Sequence, residues 1–279
     1  MAVAVASRTA AVRTAPSALV PRLSPFPRPV SATLLALAAL LSGCGPFTGA
    51  RVPELTDARL PRLEPAALQA CAQRLGLAPE LPRPADPTNF GERQPRDARG
   101  RTVPHEPALI VLHETVISAP ATVKLFATPH PNDDDQASYH LLIDRQGRRL
   151  RIVPDELRAF GAGLSAFGDF AVRIRPASVG SLNNVALHLS LETPADGRGD
   201  TDGHSGYTPA QYEAAAAQVL LWQARFGIPF SRLTTHAAVD RSRSRYDPRS
   251  FSWERFLPAY RKAATACSLT AYDNGRAVP

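Results

Sequence analysis

The run Pro107-Ala-Leu-Ile-Val-Leu-His113 constrains the fold of this chain more than any other segment. A short apolar stretch closed by a polar residue describes a strand buried on both faces, and such a strand needs a sheet with layers on either side. His113 then stands where the strand delivers a side chain to a cleft. The other elements agree. Residues 120–128 read as a helix begun by Pro120. Ser138-Tyr-His-Leu-Leu-Ile-Asp144, the turn Arg-Gln-Gly147 and Arg149-Leu-Arg-Ile-Val153 read as two strands around a glycine turn. In Val185-Ala-Leu-His-Leu-Ser-Leu-Glu192, alternation puts His188, Ser190 and Glu192 on one face, expected to line the cleft, and Leu187, Leu189 and Leu191 on the other. A helix runs from Thr208-Pro-Ala-Gln to Phe226, with Gly227 after its end. Residues 232–236 form a strand feeding a loop, and Ser252 caps a final helix over 252–262. Strands interleaved with helices imply an α/β fold: a single mixed central β-sheet flanked by helices, with an irregular N-terminal extension.

That extension shows in composition. The chain has 279 residues, 44% of them hydrophobic, enough for one sizeable core. Its 27 prolines exceed the usual share of about 5% and gather in the first hundred residues. Within residues 1–44, Arg8, Arg13, Arg22 and Arg28 stand without any acid ahead of an apolar run over 32–41, which ends in Ser-Gly-Cys44. This order reads as a secretion signal, since the run is too short to span a bilayer. Leu41-Ser-Gly-Cys44 resembles a bacterial lipobox, which implies lipidation at Cys44, with Gly45 favouring transfer to the outer membrane. Without these four arginines the formal charge of +7 falls to +3, a balance that gives no reason to expect nucleic acid. Residues 45–104 read as a tether with a small docking helix around residues 65–75, and 266–279 as a C-terminal tail. Cys71 and Cys267 are a candidate disulfide in an oxidising periplasm, left open by the sequence.

Taken singly, His113 and His236 are more often packed histidines than metal ligands. Their company changes the reading: Leu-His113-Glu-Thr, Ser-Tyr139-His140-Leu-Leu-Ile, Thr-Thr-His236, Arg245-Tyr-Asp247-Pro and Phe-Ser-Trp253 follow in order. Over residues 105–262 the chain resembles the zinc-dependent N-acetylmuramoyl-L-alanine amidases, a superfamily that includes phage lytic amidases and animal peptidoglycan recognition proteins. The resemblance implies that His113, His236 and Asp247 bind one Zn2+, leaving the open fourth position of a catalytic zinc site. It further implies hydrolysis of the amide between N-acetylmuramic acid and L-alanine in peptidoglycan or muropeptides. Relatives with an acidic residue in the strand motif place it on Ser190 here, and Glu192 matches their second acid. Tyr139 is therefore the expected catalytic partner of the metal, as in relatives that lack the acid. Arg245 stands where a lysine often faces the substrate carbonyl; it keeps the charge but cannot donate a proton at neutral pH. Glu192 and His188 remain alternative bases. His140, Asn184 and His204 are candidate substrate contacts, with strand packing, turn formation and surface exposure as their respective alternatives.

The expected protein is thus a monomeric, lipid-anchored zinc amidase on the periplasmic side of the bacterial outer membrane. A non-catalytic peptidoglycan-binding module of the same fold is the alternative, motivated by Ser190 and Arg245. A zinc peptidase cutting within the stem peptide is a third reading. Asp133-Asp-Asp135 lacks the ligand pattern of a calcium loop and reads as a solvated turn.

Overall fold

The computed structural model describes residues 52–53, 56–199, 201–273 and 276–278. The expected signal segment and Cys44 lie outside them. Helix α1 (Pro65–Arg74) and the short strands β1 (Leu81–Pro82) and β2 (Phe90–Glu92) precede the buried strand β3 (Leu109–Glu114). Helix α2 (Ala119–Phe126), strands β4 (Leu141–Ile143), β5 (Arg149–Arg151), β6 (Leu157–Ala159) and β7 (Ala186–Leu191) follow. Then come α3 (Pro209–Phe226), β8 (Leu233–Thr235), α4 (His236–Val239), α5 (Trp253–Ala266) and a hairpin of β9 (Ala271–Asp273) and β10 (Arg276–Val278) within the expected tail.

Six strands form the central sheet in the order β1-β5-β4-β7-β3-β8. Only the β4–β5 hairpin is antiparallel; every other pairing is parallel. The sheet is therefore mixed, as expected. All six residues of β3 and of β7 are buried, which explains why both read as near-continuous apolar runs. Ile110, Leu112, Leu187, Leu189 and Leu191 join one large core with Ala215, Val219 and Trp222 of α3 and Phe256 and Tyr260 of α5. The opposite face carries Val111, His113, His188 and Ser190, with His113 paired in register with Ser190.

Local chemistry sets the helix ends. Thr208 and Gln211 make a reciprocal capping box, Pro209 occupies the first turn, and Gly227 closes α3 in the left-handed region at φ 67°. Ser118 and Ser252 accept the N-cap hydrogen bonds of α2 and α5. Gly147 turns the β4–β5 hairpin at φ 78°.

The proline-rich extension departs from expectation. It is not a loose tether over its described length: β1 adds a sixth strand beside β5, and β2 pairs with β6. Arg93 follows β2 into the domain, where its guanidinium donates to the carbonyls of Asn184, Asp155 and Ala186. Prolines are tolerated here because these strands lie at edges, where few ladder donors are needed. A disulfide joins Cys71 of α1 to Cys267 at the end of α5, across 196 residues of sequence. Closing so long a loop restricts the unfolded chain, and its loss costs about 2–4 kcal/mol. The C71S/C267S double variant is expected to unfold at correspondingly lower urea; an unchanged midpoint would show that the bridge adds nothing.

Candidate metal centre

Three elements converge on one point. His113 is the fifth residue of β3, His236 opens α4 directly after β8, and Asp247 follows in the loop before α5. Since β3 and β8 are parallel neighbours, their C-terminal ends bring the two histidines side by side, with ring centroids 4.6 Å apart. Asp247 lies across both: one oxygen is 2.9 Å from His236 Nδ1 and the other 3.3 Å from His113 Nδ1. The backbone holds this arrangement, as Ala237 N–H donates to the Asp247 carbonyl.

All three ligand atoms lie within 4.8 Å of one another, and all three residues are buried. Beyond its 3.3 Å approach to Asp247, the buried His113 Nδ1 makes no hydrogen bond among the described residues, an arrangement that costs free energy unless the atom has another use. Two imidazoles and a carboxylate are a donor set suited to zinc. Burial, with the neighbouring His236 and against the pull of Asp247, pushes His113 down to about 4, leaving the neutral form that ligates. Despite its burial, Asp247 is held well below the usual carboxylate range by His236 and His113. The side chain of His113 is fully enclosed, whereas those of His236 and Asp247 retain 9% and 12% exposure. The centre therefore opens on the His236–Asp247 side.

The family model of N-acetylmuramoyl-L-alanine amidase matches residues 103–250, more than half of the chain and all three of these residues. The chain belongs to this amidase family. No curated protein matches the sequence at a significant level. Among solved structures, AmpD of Citrobacter freundii is 24% identical, covering 65% of this chain and 90% of that one with a TM-score of 0.43. AmiD from E. coli, in complex with anhydro-N-acetylmuramic acid-L-Ala-D-gamma-Glu-L-Lys, is 19% identical over 61% of this chain and 65% of that one, TM-score 0.44. AmpDh3 from Pseudomonas aeruginosa, in complex with anhydromuramic pentapeptide, is 20% identical over 62% of each chain, TM-score 0.41.

Around the amidase's metal ligands, the expected partners divide. The Tyr139 ring stacks on His113 at 4.7 Å and 29°, with Phe126 edge-on behind it. Burial and the negative Asp247 raise the Tyr139 phenol above its ordinary value, so it keeps its proton and can donate. Arg245 is exposed, and its charge is felt at both His113 and Tyr139. Ser190 Oγ is buried beside His113 without a hydrogen bond among the described residues.

Four candidates have other duties. Glu192 accepts from the backbone N–H of Ala119 at the start of α2 and of Arg145 in the hairpin turn, so it ties two elements together rather than facing the ligands. His140, expected as a substrate contact, is fully buried; its Nδ1 accepts from His188 N–H, and its Nε2 lies 3.1 Å from the Leu157 carbonyl. Asn184 accepts from Gln94 N–H and donates to the Gln94 and Pro104 carbonyls, pinning the extension to the sheet. His204 is not a cleft residue: its Nε2 sits 3.0 Å from Glu114, and its side chain is fully enclosed.

Nothing in the sequence assigns that glutamate a role. Glu114 follows His113 and lies inside a network of Arg249, His204, Thr193 and Tyr207. Its one sequence signal was position: an acid adjoining a buried strand must find partners.

Proposed function

We propose that the chain is an exported zinc amidase that cleaves the bond between N-acetylmuramic acid and L-alanine in peptidoglycan or released muropeptides. The observation that carries this is the buried His113–His236–Asp247 cluster inside the region that matches the amidase family. When bound there, zinc supplies a Lewis acid that polarises a carbonyl and makes water more acidic. The chain's own residues do the rest. Asp247 and the two imidazoles bring a negative and two neutral donors to one open-sided point. Tyr139, protonated and stacked on His113, donates toward negative charge developing on the substrate carbonyl. Arg245 adds a fixed positive charge at the exposed rim. The sheet behind His113 keeps water from that ring, while His236 and Asp247 retain some exposure.

A signal segment over 1–44 with lipidation at Cys44 anchors the protein on the periplasmic side of the outer membrane, and the amidase domain over 105–265 follows as a monomer. The Cys71–Cys267 bridge supports this reading, because stable disulfides belong to oxidising compartments.

Ser190 favours one alternative. This serine stands in strand register with His113 where an acid stands in relatives, so the chain could bind wall fragments without cutting them. Digestion of anhydro-muropeptides and of purified peptidoglycan, with and without a chelator, separates the readings by product mass. The amidase releases intact stem peptides beginning with L-alanine, loses this on chelation and regains it with zinc. Binding by the zinc-loaded protein without cleavage selects the binding module, and cuts between amino acids select a peptidase. Tyr139→Phe is expected to keep zinc while turnover falls about 10²–10³-fold, the usual cost of one lost oxyanion donor. Normal turnover in this variant would remove Tyr139 from the mechanism.

A further inference from the structure

We propose that His188 is a positioning residue for the metal centre: its imidazole fixes His113 in the tautomer that leaves Nδ1 open to zinc. This rests on the zinc reading above.

The two rings meet on adjacent strands. His188 is fully buried in the middle of β7, and its Nδ1 lies 2.9 Å from His113 Nε2. His113 directs its other nitrogen, Nδ1, toward Asp247. An imidazole that gives Nδ1 to a metal carries its proton on Nε2, and a buried N–H needs an acceptor. His188 Nδ1 is the nitrogen that the structure places there, and the proposal gives it the acceptor's part. Metal-bound histidines commonly use a carboxylate or a backbone carbonyl for this purpose. A neutral ring does so without adding a negative charge to a buried region that already holds Asp247 and Glu114.

The surroundings are shaped for this ring. His188 stacks on His140, with centroids 5.7 Å apart and planes 17° from parallel. Its own backbone N–H donates to His140 Nδ1, so the neighbouring ring is fixed as well. On the other side stands Gly161, where a Cβ would come within 2.5 Å of His188 Cγ and Nδ1. The space for the imidazole exists only because residue 161 is glycine. His188 Nε2, by contrast, is buried with no partner among the described residues, which makes the residue a poor choice for folding alone: an apolar side chain would fill the site without an orphaned polar atom. What the ring offers is its Nδ1.

The test uses the full chain, zinc as the probe, and two readouts other than activity. Zinc affinity is measured by competition with a chromophoric chelator, and the protonated nitrogen of His113 by 15N-detected imidazole NMR of zinc-free and zinc-loaded protein. His188→Leu is expected to weaken zinc binding 10–100-fold while the zinc-free protein melts no lower than the parent. His188→Asn, whose amide oxygen can take the place of Nδ1, restores most of the affinity. Gly161→Ala keeps the histidine but crowds it, and lowers affinity in turn. In the zinc-loaded parent the proton resides on His113 Nε2. Parental zinc affinity in His188→Leu overturns the inference and leaves the zinc reading standing; absence of zinc binding by the parent overturns both. If His188→Leu does not fold, the comparison moves to the other two variants: affinity retained in His188→Asn and lost in Gly161→Ala supports the role, and any other pattern overturns it.

Discussion

Zinc retention and muropeptide turnover should fall together when Asp247 is replaced by alanine. The carboxylate spans both histidines, with 2.9 Å and 3.3 Å from its oxygens to the two Nδ1 atoms, so its removal takes away the one anionic ligand and leaves two neutral imidazoles. A catalytic zinc needs three protein ligands, and the charge stabilisation it supplies is worth several kcal/mol. Turnover is therefore expected to drop by about 10³-fold or more, since each 1.36 kcal/mol is a factor of ten. Metal content after dialysis and kcat on a defined muropeptide measure the two effects. Added zinc should also raise the melting temperature of the parent and leave that of Asp247→Ala unmoved, because only a protein that binds the ion gains stability from it. Asp247→Cys offers the converse check, as a thiolate is a good zinc ligand at a similar reach. Zinc bound at parental affinity by Asp247→Ala would remove this residue from the ligand set.

The parts of this molecule that were legible in its sequence are those set by neighbours in sequence. The α3 caps at Thr208 and Gly227, the turn at Gly147 and the apolar run of β3 each rest on contacts within a few residues, and each is where the pattern put it. The ligand set was legible for a different reason: several short motifs in fixed order point to one known arrangement. Alternation along β7 correctly put His188 and Ser190 on the face that carries His113, but a shared face is not a shared environment. His188 meets His113, Ser190 Oγ meets no partner among the described residues, and Glu192, one residue past the strand, accepts from the first backbone N–H of α2. Periodicity cannot see what fills the space above each position. The contacts of Asn184 and His204 are hidden from the pattern on the same ground, since Asn184 binds Gln94 from 90 residues away and His204 reaches Glu114 across the same span. The extension was misread because proline content argues against interior strands and is silent about edge strands, where β1 and β2 lie.

Replacing Arg249 with methionine should lower stability more than any surface change, because it strands a buried carboxylate. Glu114 has no exposed side-chain surface, and Arg249 retains 3%. Arg249 meets one Glu114 oxygen through both its backbone N–H and its Nε. His204 Nε2 at 3.0 Å, Tyr207 O–H at 3.1 Å and Thr193 O–H at 3.1 Å surround the other. The remaining guanidinium nitrogens donate to the carbonyls of Gly197, Gly199 and Thr201, so one side chain both neutralises the acid and gathers the loop after β7. Methionine fills similar volume but satisfies neither. Removing one partner of a buried pair costs about 3–5 kcal/mol, and at about 2–4 °C per kcal/mol for a domain of this size the melting temperature should fall by roughly 10 °C. Arg249→Lys should recover little, having no planar fork to serve the acid and the loop together. The pH response supplies an independent sign. In the parent, burial pushes Glu114 up, but His204 and Arg249 outweigh it and hold the group below its ordinary 4.5. Its contribution is thus complete above 4.5 and is lost as pH falls through the lower folded value. In Arg249→Met burial dominates, the folded value rises above the unfolded one, and mild acidification should narrow the gap between variant and parent. Thermal melts at pH 7 and pH 5 read both effects; a variant that melts with the parent at pH 7, or falls further behind it at pH 5, would show that Glu114 does not depend on Arg249.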